Sequence, residues 1–286
     1  MKTNKAWLIP LTAITAVLAI AAGPKNEQAP GGAADKIDAA LPAKPYAEPK
    51  SERTILVFSR TKGFRHKSIP TGKLALQKMG EKTGAFKTVI SDDLANFAPD
   101  KIKQFDAIVF LNTTGNVFKG AENEKQIHQS LMQFVRSGKG FVGIHSATDT
   151  LYNWPEYGEM MNGYFDGHPW RAGTQVHIDV EPGQEDHPLA VMFEGEPLNF
   201  KEEIYQLKDP YDSSKVDMLL RLDPEKSAGG KKKGKRKDND YGVAWARTWG
   251  DGRVFYCSIG HNHDMYWHPK ILRHYLAGIQ WAIGDY

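Results

Sequence analysis

Three short runs of apolar and β-branched residues constrain the fold more than any other feature of the chain: Thr54-Ile55-Leu56-Val57-Phe58-Ser59, Phe105-Asp106-Ala107-Ile108-Val109-Phe110-Leu111 and Gly140-Phe141-Val142-Gly143-Ile144-His145. Such short, almost wholly apolar segments read as strands covered on both faces, which is how parallel sheets are built. The stretches between them keep helical spacing. Ile69 to Lys82 carries Leu74, Leu76 and Met79 on one side, and Glu124 to Ser137 aligns Ile127, Leu131, Phe134 and Val135 before a stop at Gly138. Strands alternating with helices predict an α/β domain with a doubly wound, mostly parallel sheet. The second half adds further strands at Gln175 to Val180, Ile204 to Leu207, Asp217 to Leu222, Tyr241 to Thr248 and Arg253 to Ile259, the last two joined by the turn signal Trp249-Gly250-Asp251-Gly252. A stripe of Ile271, Leu272, Tyr275, Leu276, Ile279 and Ile283 predicts a closing helix over Lys270 to Ile283.

The amino terminus reads differently. Lys2 and Lys5 precede an apolar stretch that ends in the small-x-small pattern Ala19-Ile20-Ala21, so residues 1–22 are expected to be a signal peptide and the protein periplasmic or secreted. Contact with a membrane is expected only through that segment, should it stay uncleaved. Residues 23–52, rich in Pro, Ala and charge, read as a flexible tether, and residues 53–286 as the folded domain. One cysteine, Cys257, excludes an internal disulfide and thiolate-built metal sites, so any metal must be held by histidine and carboxylate. The chain has 37 basic and 34 acidic residues, but seven of the basic ones lie between Lys226 and Lys237; without them 30 face 34. Residues 226–240 are therefore a basic surface loop on a slightly acidic body, which has no general affinity for nucleic acid. Its sharper reading is a patch for an anionic surface.

In an open parallel sheet, ligands bind beyond the carboxyl ends of the strands. Polar residues follow four predicted strands: Arg65, His66 and Ser68 after the first; Asn112 and Thr113 after the second; His145, Ser146 and Asp149 after the third; His261, His263, Tyr266 and Trp267 after the last. Gly143-Ile144-His145-Ser146-Ala147 resembles the tight turn that holds a nucleophile out of a sheet, with histidine at its tip. Imidazole moves protons or ligates metal near neutral pH, so His145 is a catalytic and a metal candidate. His261 and His263, at i and i+2, face one way if the chain is extended, and with His66 or His145 could share a divalent metal, zinc or similar. Glu202 and Glu203 should point apart, and Glu203 is assigned as the acid/base group. Arg65, Asn112, Thr113, Ser146 and Asp149 are candidate substrate contacts, with Tyr266 and Trp267 as surfaces for a sugar ring. Cys257 reads as a core residue. No nucleotide cofactor is expected.

The pieces Phe64-Arg65-His66-Lys67-Ser68-Ile69, Gly140 to His145, Glu202-Glu203-Ile204-Tyr205 and Gly252-Arg253-Val254-Phe255-Tyr256-Cys257-Ser258-Ile259-Gly260-His261 together resemble the ThuA-like (trehalose utilisation) family, over residues 54 to 283. The resemblance implies a flavodoxin-like sheet of the class I glutamine amidotransferase-like kind and a role in carbohydrate catabolism, on trehalose or 3-keto-disaccharides. His145 stands where amidotransferases carry cysteine, so glutamine hydrolysis is not implied. Two readings follow: an exported enzyme acting on a disaccharide or 3-keto-sugar, with a small-molecule carbohydrate as partner, or a non-catalytic sugar-binding module of the cell envelope.

Overall fold

The three apolar runs are strands with both faces buried, as their composition requires. In the computed structural model, which describes residues 27–230 and 234–286, they are β1 (Thr54–Phe58), β3 (Ala107–Leu111) and β4 (Gly140–Ile144), with β2 (Lys87–Ile90) on the outer edge. Successive side chains go to opposite faces of the sheet. Ile55, Val57, Val109 and Ile144 join one core, and Leu56, Phe58, Phe110 and Phe141 join the other. Helix α1 (Ala33–Ala40), α2 (Ile69–Thr83) and α5 (Pro269–Ala282) cover the first face; α3 (Glu124–Arg136) and α4 (Pro155–Met161) cover the second. Helix α2 ends where Gly84 takes φ +69, and α3 starts where the Asn123 side chain accepts from the Gln126 N–H.

The remaining strands are β5 (Tyr164–Phe165), β6 (Gln175–Val180), β7 (Leu198–Lys201), β8 (Leu207–Lys208), β9 (Asp217–Leu222), β10 (Gly242–Trp249) and β11 (Gly252–Cys257). Nine of the eleven strands among the described residues form one sheet in the order β2-β1-β3-β4-β11-β10-β9-β6-β7, and β5 pairs with β8 apart from it. The first five are mutually parallel; from β10 onward every neighbour is antiparallel. Strand β6 alternates buried and open residues, as expected where one face of an antiparallel sheet meets water.

Three sequence expectations need correction. Residues 27–52 are not a free tether: Ile37 and Leu41 are buried against α2 and the following core, and Lys78 and Lys82 bond Asp38 and the Leu41 carbonyl. The four-residue spacing of Ala33, Ile37 and Leu41 gives this low-complexity segment an apolar face. The buried Gln280 amide fixes the chain further along through the Tyr46 N–H and the Ala47 carbonyl. Of the strand expected at Ile204 to Leu207 only Leu207 is in a strand, as the start of β8; β7 lies earlier and Ile204 makes only an isolated bridge to Trp170. The basic loop touches the body on either side of residues 231–233, before them through the Ser227 hydroxyl accepting from the His177 N–H, and after them through the Lys235 N–H on Gln206 Oε1 and the Arg236 guanidinium on the Leu207 carbonyl. Residues 1–22, expected as a signal peptide, lie outside the described residues. Among the described residues no helix is long and apolar enough to cross a membrane.

Candidate metal and acid–base site

The end of β4 turns sharply. His145 adopts φ +53, an uncommon conformation for a residue with a side chain, and starts a 3₁₀ turn that runs to Thr148. Neighbours fix this turn: the Tyr256 hydroxyl donates to the His145 carbonyl at 2.8 Å, and the Tyr157 hydroxyl to the Ala147 carbonyl at 2.7 Å. Beyond β11, Gly260 takes φ +138, and a Cβ there would lie 2.8 Å from the Tyr266 hydroxyl. Its carbonyl accepts from Ser68 Oγ and from Asn112 Nδ2, which ties the loops after β1, β3 and β11 together.

Side chains from the loops after β1, β4 and β11 converge with one from the segment after β7. His66, His145, Glu203 and His261 each offer a ligand atom, and those atoms lie within 4.8 Å of one another, so the group can hold a metal ion. His66 Nε2 is 3.2 Å from His145 Nε2, and Glu203 Oε1 is 3.2 Å from His261 Nδ1 and 3.8 Å from His145 Nε2. His145 Nδ1 sits 2.7 Å from the Ser258 carbonyl, which can only accept, so the proton is on Nδ1 and the lone pair of Nε2 faces the cluster. His261 Nδ1 is buried and has no hydrogen-bond partner, despite its closeness to Glu203. Ser146 Oγ, 3.4 Å from His66 Nδ1, supports the outer nitrogen of that ring.

Burial first, then the neighbouring imidazoles His261 and His168, pushes His66 down to about 3. Burial also holds His145 well below its ordinary value, with His66 and His261 adding to the effect. Both rings are therefore neutral near pH 7, the form in which imidazole donates a lone pair. Glu202 and Glu203 lie beyond the end of β7, so strand alternation does not place them, but they take different partners. The Glu202 carboxylate accepts from the N–H groups of Glu203, His261 and Asn262, bracing the loop that carries His261. Burial pushes this carboxyl up to about 8 against the pull of those donors.

Other expected contacts lie elsewhere. Asn112 and Thr113 are fully buried; Asn112 bonds Ser68, Gly260 and Tyr266, and Thr113 bonds Thr150. Tyr266 is also fully buried, its hydroxyl donating to Asn112, so it offers no face to a ligand. Trp267 packs against the core, with Lys36 from α1 over its ring at 4.8 Å. The guanidinium of Arg65 is held by Glu27 and the Ser59 carbonyl. His263 stands outside the cluster: its Nδ1 meets Thr71 Oγ1 at 2.7 Å, because residues 263–267 form a 3₁₀ turn and the i, i+2 rule for extended chain does not apply. Asp149 stays at the rim, bonded to the Tyr152 hydroxyl at 2.5 Å, its carboxyl raised chiefly by burial.

Two residues escaped the sequence reading. His168 Nδ1 lies 3.8 Å from Glu203 Oε2, and the Tyr205 ring lies 4.6 Å from that of His145. His168 comes from a loop without a strand-end signal; Tyr205 follows Glu203 and Ile204 and was visible only as part of that motif. A hollow of about 570 Å³ beside β6 and β9 is a weaker candidate, since its Arg221 is already paired with Glu181 and Asp240.

The comparisons agree with this fold. The ThuA family model, described as trehalose utilisation, matches residues 54–282. Among solved structures, a protein described as ThuA-like from Bacteroides uniformis superposes with a TM-score of 0.64 at 20% identity, over 82% of this chain and 93% of that one. A second protein so described, from Parabacteroides merdae, gives 0.56 at 16% identity, over 83% and 91%. At these identities the likeness speaks for the fold alone. No curated protein matches the chain.

Proposed function

We propose that this chain, which belongs to the ThuA (trehalose utilisation) family, is an exported, periplasmic or secreted, metal-dependent enzyme acting on a disaccharide or 3-keto-sugar. Family membership supports a carbohydrate-related role; the chemistry is inferred from the site. The single observation that carries it is the convergence of three imidazoles and one carboxylate, drawn from four distant segments, on one point. Neutral, lone-pair-bearing nitrogens with the unpartnered His261 Nδ1 suit zinc, which favours histidine and carboxylate donors. When bound by His66, His145 and His261 with Glu203 beside it, a divalent ion would polarise a sugar carbonyl or acidify a water.

The protein's own groups do the rest. Ser258 and Ser146 hold two rings in orientation through their outer nitrogens. Glu203 faces the imidazoles with Oε1 and His168 with Oε2, so it can take a proton from a carbon beside a ketone, or from water, and pass it to His168. His168 is the more exposed partner and returns the proton to solvent. The test is to incubate the purified protein with unmodified and 3-keto disaccharides, with and without chelator, and follow products by mass. Chelator-sensitive conversion of one sugar supports the reading; no conversion of any sugar by zinc-loaded protein removes it.

A further inference from the structure

Phe64 is the most exposed large apolar side chain among the described residues, with 64% of its surface open. Its exposure is not that of a loose loop tip. The Thr114 hydroxyl donates to the Phe64 carbonyl at 2.7 Å and accepts from the Gly63 N–H at 3.2 Å, while the Lys62 N–H donates to the Thr114 carbonyl at 2.8 Å. The backbone that presents the ring is thus pinned on both sides to the loop after β3. The ring itself stands edge-on to His66 at 4.8 Å and nearly parallel to His261, at 6.5 Å and 13°. A rigid open aromatic face therefore adjoins two members of the cluster. Polar groups lie beside the same cluster: His168 Nδ1 is 3.8 Å from Glu203 Oε2, and Asp149 is close enough to interact electrostatically with both.

We infer that Phe64 is the platform for a pyranose ring, the part that sequence reasoning gave to Tyr266 and Trp267. A ligand touching both Phe64 and the cluster must be small, with an apolar face on one side and oxygens along its edge. A pyranose meets that description: its axial C–H bonds form a face that packs on an aromatic ring, and its equatorial hydroxyls project along the rim. An open-chain polyol has the oxygens but no fixed face. The inference rests on the sugar-processing reading above and specifies how the ring is held.

Calorimetry on zinc-loaded protein with trehalose and 3-ketotrehalose, with sorbitol as the open-chain control, tests it. The wild type should bind a disaccharide and not sorbitol. Phe64→Ala should retain zinc but lose about 10-fold or more in disaccharide affinity, and Phe64→Trp should restore it. Equal affinity in wild type and Phe64→Ala, with zinc retained in both, overturns the platform while leaving the sugar reading intact. A wild type that binds neither disaccharide overturns both. Unmoved sugar affinity together with a smaller apparent size of Phe64→Ala on gel filtration would make Phe64 an interface between copies, and would also overturn the inference.

Discussion

Two histidines of this protein are built alike and end differently. His145 and His274 are both fully buried, and each directs Nδ1 at a main-chain carbonyl, Ser258 at 2.7 Å and Leu189 at 2.6 Å. Each carbonyl fixes the same tautomer and leaves Nε2 as a lone pair. His145 Nε2 then meets His66 and Glu203, whereas His274 Nε2 has no partner and its ring packs against Phe193 and Phe255. Burial and a carbonyl brace therefore do not make a site. What makes one is the arrival of further donors at the free nitrogen, His66 from the loop after the parallel strand β1 and Glu203 from the segment after the antiparallel strand β7. His274, midway along α5, has apolar neighbours because a helix face against a sheet must be apolar.

The contrast can be broken by substitution. Glu203→Gln keeps the shape and removes the base, and should lower turnover about 10²- to 10⁴-fold at unchanged thermal stability, read by steady-state kinetics and calorimetry. His145→Ala should remove turnover to a similar or larger extent and leave far-ultraviolet circular dichroism unchanged. His274→Leu should do the reverse. It strips the Leu189 carbonyl of its donor, at a cost of about 1–2 kcal/mol by urea denaturation, with turnover retained. Equal loss of turnover in the two histidine variants would erase the distinction.

Acid should sharpen it. Burial pushes His274 down to about 4, chiefly by desolvation, from an ordinary 6.5. The unfolded chain therefore takes up a proton that the folded chain refuses between those values. Stability attributable to this residue is complete above pH 6.5, falls as pH drops toward 4, and is level below it; the loss is about 3 kcal/mol. Denaturation midpoints for wild type and His274→Leu should converge as pH falls through that interval and cross before its lower end, because the loss of about 3 kcal/mol exceeds the initial lead of about 1–2 kcal/mol. A constant offset between them would contradict the assignment.

How much of this was legible in the sequence follows from what periodicity encodes. Runs such as Ile55 to Phe58 carry their burial in their composition, so β1, β3 and β4 were readable, as was the hairpin at Gly250, where φ is +62. β2 was not, because an edge strand that is only half buried has no reason to be uniformly apolar. In the site, His66, His145 and His261 were readable because strand ends converge, whereas Glu203 was chosen by strand alternation at a place where the chain has left β7. His263 was misjudged because a 3₁₀ turn replaces the expected extended chain, and Tyr266 and Trp267, in the same turn, pack against the core. Aromatic character says that a ring will be buried somewhere, not on which side of a turn. Phe64 shows the same limit from the other direction, since nothing in its composition distinguishes an open ring from a packed one.

Zinc titration of metal-free protein, followed by calorimetry on the wild type, His145→Ala and His274→Leu, addresses the difference between the two imidazoles most directly. One equivalent bound by the wild type and by His274→Leu, with none or at least about 100-fold weaker binding in His145→Ala, is the expected result. A wild type that takes up no divalent ion, or a His145→Ala protein that binds as tightly as its parent, would contradict it.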